Sequence, residues 1–419
     1  MKILQIHKYF SREKGGGSVT AFFETKKLLE QKGHEVAVFS MDDPTNEESI
    51  YSKYFIKHFD INKAGGFFGQ LRLGFKSIYN FEAQRKLEEL IEQEKPDVAH
   101  IHNVYHYITP SIFHTLKKHN IPMVFKLSDY KAICPNYKLF NKGEVCEKCK
   151  GGKYYHCFLG RCLKKSLAVS FIAMVEAYVH KLLGSYNKID MFLAPSQFMK
   201  KKCTEFGIPV EKIKILRNTV DVESFPLNSA PKEKDFFLYY GRISEEKGLA
   251  DLIIAVDLLK RKNKLQENKL VFAGRGPQEN DLKKLTEILK LEKEVEFVGF
   301  KRGKELKNLI SDSKFVVLPS VWYDNSPLVI SESGLLGKPV IVSDAGGSKE
   351  MFSDGESGLV FGAGDVEDLA LKIKEMIKTG KEKRFKMGEK GRKNIIDLND
   401  PEKYYKKLLS IYKNLVDKK

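Results

Sequence analysis

The sequence has no histidine beyond His180 and only one cysteine outside residues 134–162. Histidine chemistry, if there is any, belongs to the first half. The cysteines form one local cluster, not a disulfide framework spread over the fold. Two patterns are also missing. Gly15-Gly16-Gly17-Ser18 lacks the G-x-G-x-x-G spacing of dinucleotide-binding loops, so no nicotinamide cofactor is inferred. No Asp-x-Asp stands in a strand-end loop, where it would argue for a metal-held diphosphate. The opening MKILQIHKYF carries too short an apolar run for a secretory signal and reads as a first buried strand. The expected location is the cytoplasm.

What is present fits a soluble two-domain chain. At 419 residues it exceeds one ordinary hydrophobic core, so two domains of about 200 residues are expected. Hydrophobic residues make up 42% and charged residues 30%, which excludes disordered and membrane-spanning classes. The formal charge of +17 is concentrated, with 15 Lys/Arg against 5 Asp/Glu in residues 101–200. Anionic lipid, nucleic acid or phosphorylated substrate would each match such a face. Nucleic acid is disfavoured because no reading module accompanies the charge.

Apolar runs of strand length alternate with helix-periodic segments, the pattern of parallel α/β structure. One strand series is expected at Ile3–Ile6, Glu35–Phe39, Val98–Ile101, Met123–Leu127, Met191–Ala194 and Ile213–Leu216. A second is expected at Phe236–Tyr240, Leu270–Ala273, Val295–Val298, Phe315–Leu318, Val340–Val342 and Leu359–Phe361. The domains are accordingly placed at 1–220 and 235–400, joined by a linker at 221–234 that contains Pro226 and Pro231. A C-terminal helix at 401–419 is free to pack on either. Open parallel sheets bind ligands beyond the carboxyl ends of their strands, so two such domains facing each other create a cleft lined by loops.

The sharpest loop is Gly241-Arg242-Ile243-Ser244-Glu245-Glu246-Lys247-Gly248, between a strand and a helix. Arg242 can fork two oxygens of a diphosphate, and Lys247 adds a compact charge beside a helix N-terminus. The alternative is a solvated turn in which Glu245 and Glu246 pair with both. In Gly274-Arg275-Gly276-Pro277 the glycines permit positive φ and close approach of backbone N–H groups to a ligand, or simply a tight turn. Further on, Ser326 is expected to cap a helix with Pro327 at its first position, leaving the N–H groups of Leu328 and Val329 free. Asp324 before that start and Glu332 within the helix can accept hydrogen bonds from different hydroxyls, one set on a sugar and one on a ribose. Their plain roles are turn former and surface residue.

These motifs, with Gly33-His34-Glu35-Val36 and SESGLLGKPVIVSDAGGSKE, resemble the retaining glycosyltransferases of family 4, also called group 1, which have the GT-B fold. The resemblance implies transfer of a sugar from a UDP- or GDP-linked donor to a glycan or lipid-linked glycan, in cell-surface polysaccharide synthesis. It gives Arg242 and Lys247 the donor diphosphate, Glu332 the ribose and Asp324 the transferred sugar. Gly241, Asn325, Ser326, Leu328, Val329 and Glu350 border the donor, as do Gly274 and Gly276, and Gly16 and Gly17 in the first domain. Stabilising the departing diphosphate with two preoriented cations is then the main catalytic task, and it requires no metal. Two positions depart from the family: Asp324 stands for the usual Glu, and Ser128-Asp129 for the usual His-Asp. His100 or His102 is a candidate substitute, with a buried structural role as the alternative. A nucleotide-sugar epimerase or hydrolase, and a non-catalytic nucleotide-sugar binder, remain competing functions.

Two first-domain features stand outside those motifs. Cys146-x-x-Cys149 with Cys157 and Cys162 is a candidate structural zinc site within the basic insertion 134–165, Cys134 being an alternate ligand and free thiols the plain reading. Leu167–Leu183 is strongly apolar and follows Arg161, Lys164 and Lys165. It is either a core helix or one seated on an anionic membrane, which would make the enzyme peripheral on the inner face of the cell membrane. The aromatic segment from Phe67 to Lys76 would extend that surface.

Overall fold

The computed structural model describes residues 1–14, 16–59, 66–227 and 233–418, with side chains at 66–71 excepted. Gly15 of the glycine loop, Pro231 of the linker and the side chains of Phe67 and Phe68 thus lie outside the described residues. By packing, the chain divides into two units, one of residues 1–141, 146–219 and 401–419, the other of residues 142–145 and 220–400.

The first unit holds a parallel sheet of β1 (Lys2–Ile6), β2 (Glu35–Phe39), β3 (Val98–Ile101), β4 (Met123–Lys126), β7 (Met191–Ala194) and β8 (Ile213–Ile215), in the order β2-β1-β3-β4-β7-β8. Of two short strands in the Cys-rich segment, β5 (Phe140–Asn141) belongs to the first unit and β6 (Glu144–Val145) to the second. In the second unit, β9 (Phe236–Tyr240), β10 (Lys269–Ala273), β11 (Val295–Phe297), β12 (Val316–Leu318), β13 (Val340–Ser343) and β14 (Gly358–Phe361) run in the order β11-β10-β9-β12-β13-β14. All the paired strands of both six-stranded sheets are parallel. Every expected strand is present, with ends shifted by a residue or so.

The strands are apolar nearly throughout because helices cover both faces of a parallel sheet. In β9 all five residues are buried, and Phe237 stacks on Phe315 at 5.1 Å between ring centroids. Helix starts are fixed by side-chain caps where the sequence offers them: Asn80, Ser166, Ser196 and Asp365 each accept from a backbone N–H three residues on. The C-terminal helix Pro401–Val416 packs in the first unit. It buries Tyr404, Leu408 and Tyr412, each contributing about 1.5–3 kcal/mol of apolar burial. Their polar tips are matched as well: Tyr404 Oη lies 2.9 Å from Thr25 Oγ1, and Tyr412 Oη 2.6 Å from His100 Nδ1.

The helix Leu167–Leu182 buries a polar side. Its buried residues are Ser170, Ala173, Glu176 and His180, one stripe at helical spacing. Apolar residues take the other side, with Phe171 49% and Leu182 88% exposed. Among the described residues no helix is long and apolar enough to cross a membrane.

Candidate functional site

In the second unit, the loops that follow β9, β12 and β13 interlock through their backbones. The loop after β9 starts at Gly241, whose φ of +137° favours glycine, and reaches the helix Leu249–Arg261 through a single 3-10 turn. Gly248 closes the turn at φ +65°, and a Cβ there would fall 2.1 Å from the Pro319 carbonyl oxygen. The Asp324 carbonyl accepts from Gly347 N–H at 2.7 Å, and a Cβ on Gly346 would fall 2.2 Å from that same oxygen. The polar side chains therefore stand on a closely packed base.

Lys247 and Asp324 meet on that base. Lys247 Nζ lies 2.5 Å from Asp324 Oδ2, with side-chain exposures of 17% and 10%. Ser320 Oγ donates to the same carboxylate oxygen at 3.2 Å, and the Trp322 ring lies 5.4 Å from the ammonium. The lysine thus pairs with the acid of another loop. Arg242 is exposed and its guanidinium has no partner among the described residues, while its carbonyl accepts from Tyr239 Oη at 2.6 Å. The pair fixes one cation in place and leaves the other open to an anion.

The helix carrying Glu332 begins differently from expectation. It spans Leu328–Leu335, Pro327 is its N-cap with extended backbone, and no side chain caps it. Proline has no N–H, so it is tolerated at the boundary as well as just inside it. The Ser326 hydroxyl turns instead toward Met351 Sδ at 3.7 Å. Leu328 and Val329 form the first turn, half-buried, after the buried Asn325. Glu332 is half-buried beside Tyr240, whose hydroxyl donates to Val329 O at 2.9 Å. Burial raises its carboxyl to about 7, against the opposing effects of Tyr240 and the Lys307 charge. Glu350 is half-buried in the short turn Ser348–Met351.

Gly274 and Gly276 stand against the backbone of another loop. Neither has positive φ among the described residues. A Cβ on Gly274 would come within 1.9 Å of the Gly241 carbonyl oxygen, and one on Gly276 within 2.0 Å of that of Ile243. What they admit so closely is the backbone of the Arg242 loop. Ile243 N–H donates to Arg275 O at 3.1 Å and locks the two loops together.

In the first unit Gly16 and Gly17 are exposed at the start of the helix Gly17–Gln31, Gly16 at φ +89°. His100 and His102 stack at 4.5 Å in the core, and burial lowers both pKa values, His100 to about 3. They are neutral core residues. The loop after β4 carries a network that sequence reasoning missed. Asp129 accepts from Tyr105 Oη and from Lys131 N–H, the latter at 2.9 Å, and Lys131 Nζ reaches Glu176 Oε2 at 2.6 Å.

The cysteine segment forms its own small core of Cys149, Cys157, Leu163 and Ala173, with Cys162 packed against it. A hydrogen bond with Cys162, then burial, raise the Cys157 thiol, and burial lifts Cys149 to about 12. Among the described residues no three His, Cys, Asp or Glu side chains are grouped to hold a metal.

Comparison with known proteins bears on both units. Residues 222–394 match the family described as glycosyl transferases group 1, and residues 15–127 match Glycosyltransferase Family 4. An uncharacterized glycosyltransferase of Methanocaldococcus jannaschii is 30% identical over 42% of this chain and 48% of its own. The putative colanic acid biosynthesis glycosyltransferase WcaL of Salmonella typhimurium is 28% identical over 49% and 52%. The chain thus spans about half the length of these curated relatives. Sucrose-phosphate synthase of Thermosynechococcus elongatus shares the fold at TM-score 0.71 and 15% identity, covering 100% of both chains. Anabaena HepE, solved in complex with UDP-glucose, does so at TM-score 0.64 and 17% identity, over 99% of this chain and 100% of its own.

Proposed function

We propose that this chain, which has the GT-B fold and matches glycosyltransferase families over residues 222–394 and 15–127, transfers a sugar from a nucleoside-diphosphate sugar to a glycan or lipid-linked glycan, with retention of anomeric configuration, in cell-surface polysaccharide synthesis. The observation that carries this reading is the strand-end loop of β9, where Arg242 is left open and Lys247 is held against Asp324. Departure of a nucleoside diphosphate gathers negative charge on its oxygens. Cations oriented before the reaction stabilise that charge more than they stabilise the bound ground state. Arg242 forks the diphosphate, Lys247 neutralises it, Glu332 accepts from the ribose hydroxyls, and Asp324 accepts from the transferred sugar. UDP is the first donor base to test, since HepE is solved with UDP-glucose.

The relatives named for colanic acid and amylovoran synthesis support a polysaccharide product. The exposed apolar side of the helix Leu167–Leu182 and the excess of lysine in residues 101–200 support a peripheral position on anionic membrane. The decisive experiment incubates the protein with UDP- and GDP-sugars and candidate glycan acceptors, and follows the products by mass and anomeric proton couplings. Transfer with retention supports the reading. Free sugar or an epimerised donor without acceptor would support the hydrolase or epimerase instead, and tight binding without product a non-catalytic role.

A further inference from the structure

The exposed apolar residues of the helix Leu167–Leu182 form a line. Leu167, Phe171, Tyr178 and Leu182 follow one another at helical spacing, on the side away from the buried Ser170, Ala173, Glu176 and His180. The short helix Tyr155–Leu159 lies against that line. Phe158 meets Phe171 edge to face at 5.7 Å between ring centroids, Tyr154 meets Tyr178 at 5.3 Å, and Tyr155 N–H donates to Tyr178 Oη at 3.3 Å. Cys157 of the short helix is buried in one small core with Ala173 of the longer one, so the two helices are joined as one piece. Two residues to either side of Cys157, Tyr155 and Leu159 are exposed, Leu159 by 65%. A third helix, Gly66–Ile78, packs on the longer one and adds Phe75, 64% exposed. An apolar surface built by several elements marks an interaction site, which scattered single residues do not.

Charge around this surface is of one sign. Residues 148–175 carry six Lys/Arg and no Asp or Glu. The acids that bound the stretch are both engaged, Glu147 with Lys202 at 2.8 Å and the buried Glu176 with Lys131 at 2.6 Å. The turn joining the two helices holds Arg161, Lys164 and Lys165, all exposed and without an ion-pair partner among the described residues. Their φ values are +49°, +50° and +54°. A left-handed backbone disfavours any residue with a Cβ, so the turn keeps its three cations at a conformational cost.

Apolar area and charge together select the occupant. A second copy of the chain would bring the same unbalanced cations face to face. An anionic bilayer accepts both features at once, since apolar side chains enter the boundary between headgroups and acyl chains while Lys and Arg lie at the phosphates. Tyr155 and Tyr178 each have the apolar body and polar tip that suit that depth.

We propose that the helix Tyr155–Leu159 and the turn after it form, with the helix Leu167–Leu182, one surface that docks on anionic lipid. Leu159 and Phe171 enter the bilayer boundary, and Arg161, Lys164 and Lys165 meet the headgroup phosphates. This rests on the peripheral position proposed above and extends it from one helix to two, with the cysteine core holding them together.

Flotation of the full chain with vesicles of phosphatidylcholine and phosphatidylglycerol, against phosphatidylcholine alone, tests it. Binding to the mixed vesicles only is expected. Leu159→Asp should weaken it at least about tenfold, and Lys164→Glu/Lys165→Glu should do the same, each with an unchanged melting temperature because the positions are exposed. If Phe171→Asp weakens flotation and Leu159→Asp does not, the short helix is off the bilayer and the two-helix surface is overturned while the peripheral position stands. Absence of flotation by the wild type overturns both and leaves the donor site untouched. A shift in oligomeric state with Leu159→Asp, in a protein that binds no vesicles, would give the surface to a second copy instead.

Discussion

Glu332 links the proposed donor site to pH in a way that can be measured. Burial raises its carboxyl to about 7 in the empty protein, whereas ribose hydroxyls need an acceptor and are best served by the carboxylate. If the ionised form is the competent one, about a tenth of the protein is competent at pH 6 and about nine-tenths at pH 8, so apparent affinity should rise about tenfold across that window. The sign is that of a proton released on binding. A nucleotide-sugar is the right titrant, because its diphosphate is esterified at both ends and keeps its charge here. The second unit contains no histidine to confuse the reading. Calorimetry in buffers of different ionisation heat should detect the released proton. Glu332→Gln should bind more weakly and with no pH slope. The same burial affects stability. With the folded pKa raised above the ordinary carboxyl value, Glu332's contribution is complete below pH 4 and is lost as pH rises through 7, at a cost of roughly 3 kcal/mol by pH 8. Glu332→Gln should therefore raise the melting temperature at pH 8 and not at pH 4. A flat wild-type profile, or a slope that survives in Glu332→Gln, would refute the reasoning.

Three further outcomes can be measured. Lys247→Ala strands a largely buried Asp324 carboxylate and should cost up to about 3 kcal/mol in chemical denaturation; adding Asp324→Asn should restore much of it, and additive losses would deny the coupling. Protein purified without chelator should contain about one zinc per chain if Cys146, Cys149, Cys157 and Cys162 coordinate it, and a fully active, metal-free preparation would leave only free thiols. Flotation with anionic vesicles should fall with salt and with Phe171→Asp, which the exposed position of Phe171 lets fold normally; flotation indifferent to both would remove the membrane from the account.

The strands were legible because buried parallel strands are continuous apolar runs, and β9 with its Gly–Arg loop is the clearest case. Lys247 and Asp324 were each singled out by their strand-end loops, but their contact was not. It joins positions 77 residues apart, and only the sheet order brings the ends of β9 and β12 together. The glycines of the loop after β10 were picked out correctly as sites of close approach, yet sequence cannot say whether a ligand or another backbone arrives there. The orientation of Leu167–Leu182 was hidden for a different reason. Mean hydropathy counts residues without asking which side they occupy, and here the buried stripe is the polar one. The partners of Glu176, Lys131 and His106, come from loops whose meeting no local pattern records.

The central claim is that a nucleoside diphosphate binds through the two cations after β9. Calorimetric titration of the wild-type protein and of the Arg242→Ala/Lys247→Ala variant with UDP and GDP tests it most directly. The account predicts saturable binding of one of them to the wild type and a loss of roughly 2–4 kcal/mol in the folded variant. Unchanged affinity in that variant would contradict it.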